Sequence, residues 1–262
     1  MHCELLLANI VSQMNSISFD IVIPLGPNEV PRFPRQIKYV KENVIGYRNI
    51  YVVTARSDVY ISGCIIVDER TFPFMNFIKT QFGNRIRNGW YFQQLIKLYA
   101  GKLIDGILDH YLVIDADVFF LKPTAFIGDD NKIILSTGNE YHAPYFKHMS
   151  ALHNTFSRQS SKSGICHHMM FFNKYISEIF SIVETEHNEP FWVKFVKSVA
   201  DIDGSGASEY EIYFHYLVKN HPNEIIIRDL VWHNISNAQF NKMTPASLGP
   251  NCTFVSVCAW MG

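Results

Sequence analysis

Short apolar runs alternate with helical stretches along the first half of the chain, and this alternation is the feature that most restricts the fold. The runs have the composition of β-strands, whereas the stretches between them repeat apolar residues at helical spacing. In chain order, the sequence predicts strands at 19–25, 49–54, 64–68 and 111–115 and helices at 35–43 and 90–104. Nearly continuous apolar strands separated by helices indicate a mostly parallel sheet covered on both faces, so the predicted fold class is α/β.

The second half of the chain has a more mixed pattern. In chain order, it predicts strands at 133–136, 166–172 and 225–231 and helices at 174–186, 190–199 and 208–218. The last of these helices begins with a predicted capping box, in which the Ser208 hydroxyl and the Glu211 carboxylate each satisfy a free backbone donor. No repeat, low-complexity tract or Gly/Ser linker interrupts the sequence, so we expect a single domain over residues 1–262.

Composition and charge exclude several classes of protein. Hydrophobic residues make up 48% of the chain and charged residues 18%, which provides a large core and excludes a fibrous or disordered chain. The net charge of −1 predicts no binding to nucleic acid or to an anionic membrane. The apolar segment from Leu5 to Val11 is too short to span a bilayer, and the five scattered cysteines form no C-x-x-C pair. We therefore expect a cytoplasmic protein with reduced thiols.

Two carboxylates, Asp115 and Asp117, stand where the apolar strand at 111–115 ends. Alternate side chains of an extended chain point to the same side, so both carboxylates can hold one hard divalent cation. Acids at the mouth of an apolar strand also need compensation by a metal or by hydrogen-bond donors. A second D-x-D, formed by Asp201 and Asp203, is followed by Gly-Ser-Gly and predicts a solvated turn instead. Asp115 and Asp117 are therefore the candidate metal ligands.

Three further segments accompany this D-x-D and the Lys122-Pro123 pair that follows it. They are Gly89-Trp-Tyr-Phe-Gln-Gln-Leu-Ile-Lys-Leu98, Gly164-Ile-Cys-His-His-Met-Met-Phe-Phe-Asn173 and Ser208-Glu-Tyr-Glu211. In this combination the sequence resembles the GT-A class of nucleotide-sugar glycosyltransferases. The resemblance implies a GT-A-like fold, with a nucleotide-binding half at residues 1–124 and an acceptor-binding half at residues 125–262.

The resemblance also implies a reaction, the transfer of a sugar from a nucleoside-diphosphate sugar to a hydroxyl of a glycan or another acceptor. In this class the D-x-D binds Mn²⁺ or Mg²⁺ together with the donor diphosphate, which implies that role for Asp115 and Asp117. Many members supply a histidine from the C-terminal segment, and His233 is the candidate for this third metal ligand. Uridine is the favoured donor base, and an inverting transfer is favoured over a retaining one.

Other residues are candidates for contacts with the donor. Pro24-Leu25-Gly26 stands at the end of the first predicted strand and Asp68 ends the third, so we expect both beside the nucleoside. Gln93 and Lys97 lie one helical turn apart and share a face, where they can meet a phosphate or a sugar hydroxyl.

The general base for the acceptor hydroxyl is predicted among the carboxylates of the second half. The Glu211 carboxylate is predicted to cap the helix, which leaves Glu209 in the first helical turn free to face the pocket. Glu209 is therefore the first candidate for the general base and Glu211 the second. His167 and His168 lie in an apolar strand and are expected to pack in the core or in the acceptor wall.

Two other functions fit the same acids. Haloacid dehalogenase-like phosphatases also carry a D-x-D at the end of an apolar strand, where the first acid is the nucleophile, here Asp115. In those enzymes the motif normally opens the domain, whereas here it follows three predicted strands. A nucleotide-sugar binding module without activity would keep the pocket and lose the metal or the base. The position of the motif favours the glycosyltransferase.

Overall fold

The computed structural model describes residues 17–56, 58, 60–242 and 250–258. Its strands are β1 (Phe19–Pro24), β2 (Tyr47–Thr54), β3 (Ile65–Asp68), β4 (His110–Ile114), β5 (Val118–Phe120), β6 (Ile133–Thr137), β7 (His168–Phe172), β8 (Ile225–Asp229), β9 (Trp232–Ile235) and β10 (Phe254–Val257). Its helices are α1 (Phe33–Asn43), α2 (Met75–Phe82), α3 (Asn88–Leu103), α4 (Ala143–Leu152), α5 (Asn173–His187), α6 (Phe191–Lys197), α7 (Glu209–Asn220) and α8 (Asn237–Lys242). Every predicted strand and helix is present within a few residues of its predicted bounds, and β5, β9, β10, α2, α4 and α8 are additional.

The central sheet contains five strands in the order β3-β2-β1-β4-β7. β1 runs parallel to β2 and β4, and β2 runs parallel to β3, while β7 is antiparallel to β4. Helices flank this sheet, so the predicted α/β class with a mostly parallel sheet is confirmed. In this order, β2 and β3 lie on one side of β1, whereas β4 lies on the other side. The crevice between the carboxyl ends of β1 and β4 is therefore a topological switch point, where open α/β sheets bind ligands.

The sheet and α3 share one apolar core. β1 is buried along its whole length, and the predicted helical spacing of α3 puts Leu95 and Leu98 in the core with no exposed surface. Each fully buried leucine of this kind stabilises the fold by about 2 kcal/mol. The Tyr111 hydroxyl on β4 donates to the carbonyl oxygen of Lys97 at 3.1 Å. α3 is therefore fastened to the strand that ends in the D-x-D.

Two smaller sheets surround the end of β4. β5 follows Asp117 directly and pairs antiparallel with β10, which in turn pairs parallel with β9. β6 pairs parallel with β8. The apolar run at 225–231, predicted as one strand, ends as β8 at Asp229, and a separate strand, β9, begins at Trp232. The run divides because β8 and β9 pair with different sheets.

The described residues include only some of the segments to which the membrane and cysteine predictions apply. Among these residues, no helix is both long and apolar enough to cross a membrane. Cys166, Cys252 and Cys258 are buried, and Cys64 is half-buried. The segment from Leu5 to Val11 and residue Cys3 lie outside the described part of the chain.

Candidate metal centre at the carboxyl edge of the sheet

Three potential metal ligands meet at the carboxyl edge of the central sheet. Asp115 and Asp117 follow β4, and His167 immediately precedes β7. Because β7 is antiparallel to β4, its first residue pairs with the last residue of β4, and the Asp115 amide donates to the His167 carbonyl oxygen at 2.9 Å. One potential ligand atom from each of the three side chains lies within 4.8 Å of the others. The sheet topology thus creates a cluster that a single cation can bind.

The backbone at His167 is in the left-handed region, with φ of 62°. This conformation is uncommon for residues other than glycine, costs on the order of 1 kcal/mol and is concentrated at functional sites. The next residue, His168, is buried and packs against the rings of Phe120, Phe126 and Phe254, as predicted. The two histidines therefore have separate environments, the first at the sheet edge and the second in the core.

Asp115 is held by donors from three helices. Its Oδ1 atom lies 2.6 Å from Nζ of Lys97 on α3 and accepts from the Tyr210 hydroxyl of α7 at 3.0 Å. Its carbonyl oxygen accepts from the Gln36 side chain of α1 at 2.7 Å. Burial favours the neutral acid, but the charges and hydrogen bonds of Lys97 and His167 together outweigh burial and lower the pKa of Asp115 well below its usual range. Asp115 is therefore ionised, and its Oδ2 atom faces Nδ1 of His167 at 3.5 Å.

Asp117 has a different environment from Asp115. Burial, and then the charge of Asp115, raise the pKa of Asp117. Its Oδ1 atom and the Nε2 atom of His167 are both buried without a hydrogen-bond partner among the described residues. Such atoms are costly unless something binds them. Carboxylates suit Mg²⁺ and Mn²⁺, and an imidazole nitrogen favours the transition metal of the two, so the donor set fits the predicted cation.

A buried ion pair lies behind Asp115. The Nζ atom of Lys97 is 2.7 Å from Oε1 of Glu209, and both side chains are only 4% exposed. Burial lowers the pKa of Lys97, but the charges of Asp115 and Glu209 outweigh it, so the net shift is upward. Burial raises the pKa of Glu209 in spite of Lys97. The Glu209 amide donates to the side chain of Gln94 at 3.2 Å, which joins the start of α7 to α3.

These contacts differ from the predictions for Lys97 and Glu209. Lys97 is enclosed by two carboxylates instead of facing a phosphate, and Glu209 is paired with Lys97 instead of facing a pocket. The reason is that Lys97 lies on a buried side of α3, where an ammonium is stable only beside carboxylates. Gln93 is half-buried, and its buried neighbour Gln94 is the residue that contacts Glu209.

Glu211 has a different duty from the one predicted. The Ser208 hydroxyl oxygen accepts from the Glu211 amide at 3.3 Å, which confirms Ser208 as the N-cap of α7. The Glu211 carboxylate, however, accepts from the Ser163 hydroxyl at 2.6 Å and from the Gly164 amide at 3.0 Å. His215 places Nε2 at 3.2 Å from the same carboxylate. Glu211 thus anchors the segment before β7 to α7, since a fully buried carboxylate needs donors on every side.

His233, the third ligand predicted from the sequence, lies outside the cluster. It is exposed on β9, whereas the metal-type group found among the described residues consists of Asp115, Asp117 and His167. Side chains alternate along a strand, and it is the preceding residue, Trp232, whose ring lies 5.3 Å from the ring of His167. The structure therefore brings His167 to the aspartates in place of His233.

The residues predicted for the nucleoside lie at the same edge of the central sheet. Pro24 is the last residue of β1 and Leu25-Gly26 follows it, with the Leu25 amide donating to the Val53 carbonyl oxygen at 2.8 Å. Asp68 ends β3 and caps the 3₁₀ turn Glu69–Thr71 by accepting from the Arg70 amide at 2.8 Å. The Arg70 side chain also binds Asp68 and lowers the pKa of its carboxyl to about 2. Both positions border the carboxyl ends of parallel strands, and Pro24-Leu25-Gly26 is on the strand next to β4.

Taken together, the fold and the site define an α/β protein with an acidic, metal-type centre at the switch point of its sheet. Residues 2–237 match the family described as "Family of unknown function (DUF6492)", and the chain belongs to this family. None of the curated proteins matches the chain. Among solved structures, it is similar to the crystal structure of the apo form of mouse xyloside xylosyltransferase 1, with a TM-score of 0.49 and 9% sequence identity, over 94% of this chain and 99% of that chain.

Replacing His167 by alanine is expected to weaken Mn²⁺ binding by about tenfold or more, because it removes one of three ligand atoms. His233→Ala is the matched control, since it removes an exposed imidazole from the neighbouring sheet and should leave the affinity unchanged. Isothermal titration of Mn²⁺ into both variants measures the difference. Weakened binding in the His233 variant alone would favour the ligand set predicted from the sequence.

Proposed function

We propose that the protein is a metal-dependent glycosyltransferase that moves a sugar from a nucleoside-diphosphate sugar to a hydroxyl group. The observation that carries this proposal is the cluster of Asp115, Asp117 and His167 at the switch point of the sheet. Two of its polar atoms are buried without a partner among the described residues. A site of this composition is suited to a divalent cation that accompanies a diphosphate.

The segments that resemble the GT-A class support the proposal, because all of them contact Asp115. The contributions are Lys97 from segment 89–98, His167 from segment 164–173 and Tyr210 from segment 208–211. These segments are far apart in the sequence. Because all three segments contact the same carboxylate, they support a shared functional site in addition to a shared type of sheet.

The charge of the site also favours a divalent cation. The carboxylates of Asp115 and Glu209 contact the buried ammonium of Lys97, and the carboxylate of Asp117 lies close enough to Asp115 to be affected by its charge. When these three carboxylates are ionised and His167 is neutral, as a metal ligand must be, Lys97 balances one carboxylate and two negative charges remain. An uncompensated charge in half-buried surroundings is unfavourable. A cation of charge +2 compensates the remainder.

The residues of the site have distinct duties in this proposal. A bound Mn²⁺ or Mg²⁺ supplies positive charge that stabilises the diphosphate as it leaves the sugar. Asp117, His167 and the Oδ2 atom of Asp115 would hold the cation. Lys97 and Tyr210 occupy the Oδ1 atom of Asp115, which keeps this carboxylate ionised and correctly oriented.

The nucleoside, in this proposal, lies at the carboxyl ends of the first strands, beside Pro24-Leu25-Gly26 and Asp68, and uridine is the favoured base. Ligand binding at the switch point of parallel sheets supports this position. Gly26 has no side chain, so the backbone of this turn can approach a ligand closely. A nucleotide complex with the base bound elsewhere would contradict this part of the proposal.

Thermal-shift measurements with nucleotide sugars test the proposed function. The correct donor is expected to raise the melting temperature in the presence of Mn²⁺ and to have little effect in the presence of EDTA. A ligand that binds only the folded state stabilises it by about 2.7 kcal/mol at a hundred times its Kd. UDP-sugars, GDP-sugars and the free nucleotides form the panel. The absence of any Mn²⁺-dependent shift across this panel would contradict the function.

A further inference from the structure

A second pair of parallel strands ends in a polar cleft. β6 and β8 run parallel, and their last residues, Thr137 and Asp229, pair with each other. Beyond these strand ends lies a cleft of about 450 Å³, lined by residues 137–140, Lys162 and residues 229–232. The carboxyl ends of parallel strands are a preferred place for ligands. The cleft is therefore a second candidate binding site.

The cleft adjoins the metal-type cluster. Trp232 lines the cleft, and its ring lies 5.3 Å from the ring of His167. Gly138, also in the lining, exchanges two backbone hydrogen bonds with Ser163, at 2.9 and 3.0 Å. A Cβ atom on Gly138 would collide with the carbonyl oxygen of Ile165. This close packing holds the cleft against the segment that carries His167.

Two carboxylates line the cleft, and they differ in their contacts. Asp229 pairs with Lys162 at 2.8 Å and accepts a hydrogen bond from the Thr137 hydroxyl. Glu140 is exposed and makes no hydrogen bond or ion pair with any residue in the described part of the chain. A carboxylate without such partners is available to a ligand, whereas the Asp229 carboxylate is already engaged.

Strand β10 links the segment of the D-x-D to the cleft, because the Val257 amide donates to the Asp117 carbonyl oxygen at 2.9 Å and Phe254 pairs with Trp232 of the cleft lining. Burial raises the pKa of the Cys258 thiol, and the charges of Asp117 and Glu140 raise it further. Cys258 lies beside Ser256, at 3.6 Å between Sγ and Oγ. Ser256 is on β10, which pairs with β5 directly after Asp117. β10 thus connects the metal-type cluster to the wall of the cleft.

We propose that this cleft binds a saccharide acceptor and that Glu140 is the base that accepts the proton of the reacting hydroxyl. This inference rests on the proposed function and assigns it an acceptor site. The acceptor oxygen forms a bond to the anomeric carbon while the bond from that carbon to the diphosphate oxygen breaks. The hydroxyl proton passes to the Glu140 carboxylate, and the electron pair of the broken bond leaves with the diphosphate. A direct displacement of this kind inverts the anomeric configuration.

The lining of the cleft suits a neutral ligand with many hydroxyl groups. Lys162 and Asp229 have opposite charges that cancel, and Asn139 offers both an amide donor and a carbonyl acceptor. Sugar hydroxyls both donate and accept, so they can use each of these groups, whereas an anionic acceptor would be repelled by Glu140. Glu209, the base predicted from the sequence, is enclosed with Lys97 and acts as a positioning residue instead.

Glu140→Gln tests the base, because it keeps the shape of the side chain and removes its proton-accepting charge. The acceptor probes are the methyl glycosides of glucose, galactose, mannose and xylose, used with the donor found by thermal shift. Transfer is expected to fall by about 10²-fold or more, while Mn²⁺ affinity and the KM for the donor stay at wild-type values. Glu42→Gln is the matched control, since Glu42 is an exposed carboxylate on α1, and it should leave transfer unchanged.

Asn139→Ala tests the cleft independently of the base. It is expected to raise the KM for the glycoside by about three- to tenfold, the effect of losing one hydrogen bond, with the KM for the donor unchanged. An unchanged KM for the glycoside would overturn the cleft as the acceptor site.

Three further outcomes decide the inference. Transfer by the Glu140 variant at close to the wild-type rate, or retention of the anomeric configuration in the product, would overturn the role of Glu140. Donor binding by the wild type without transfer to any of the glycosides would overturn the saccharide acceptor. Failure of the proposed function itself is distinct, because the wild type would then show no Mn²⁺-dependent binding of nucleotide sugars.

Discussion

Asp117→Asn is expected to lower the kcat/KM of Mn²⁺-dependent transfer by about 10³-fold or more and to abolish measurable Mn²⁺ binding. Asparagine keeps the shape of the side chain and removes the charge that a cation needs. In the metal-free protein, burial and the charge of Asp115 already raise the pKa of Asp117. The neutral amide should therefore leave the free energy of unfolding unchanged or slightly higher. Calorimetric Mn²⁺ titration, urea unfolding and transfer assays measure the three effects separately.

The second D-x-D provides the matched control for this substitution. The side chain of Asp203 is 66% exposed and lies 3.2 Å from Arg85, so Asp203→Asn is expected to leave Mn²⁺ affinity and transfer unchanged. Wild-type turnover by the Asp117 variant, or activity of the wild type that survives a chelator, would show that the metal role is wrong.

Lys97→Met is expected to lower the free energy of unfolding by about 3 to 5 kcal/mol, the usual cost of removing one partner from a buried ion pair. Methionine fills the space of the side chain but leaves the carboxylates of Asp115 and Glu209 without their counter-charge. Adding Glu209→Gln should recover part of the loss, because it removes one of these two carboxylates. Urea unfolding of the single and double variants measures the coupling between Lys97 and Glu209.

Lys38→Met is the control for the loss of a lysine from a helix. The side chain of Lys38 is 70% exposed and lies 3.9 Å from Glu42, so its replacement should change the free energy of unfolding by no more than about 0.5 kcal/mol. A loss in the Lys97 variant no larger than that of the control would contradict the buried ion pair, and with it the positioning of Asp115.

The sequence predicted the strands and helices whose secondary structure is decided by residues that are neighbours along the chain. β1 and β4 are short apolar runs, and α3 repeats apolar residues at helical spacing, and both patterns follow from the geometry of a single segment. The acids Asp115 and Asp117 come directly after β4, so their place at the carboxyl edge of a parallel sheet was also predictable. The local sequence therefore predicts both the α/β class and the position of the acidic pair.

Strand pairing required the tertiary structure. β10 is only four residues long and has no distinctive pattern of its own, yet it joins β5 to β9. The run at 225–231 reads as one strand because both of its parts are apolar, and only their different partners separate β8 from β9. Short strands are stabilised mainly by what they pair with, so their bounds cannot be read from one segment.

The partners of the two aspartates were likewise decided by the tertiary structure. Lys97 and Glu209 are 112 positions apart in the chain, and no periodicity in α3 or α7 shows that these helices meet. His167 reaches the cluster because β7 enters the sheet antiparallel to β4, whereas His233 lies in another sheet. The sequence by itself determined where the acids stand. Their partners depend on packing, because a buried charge is stable only where distant segments bring its counter-charge to it.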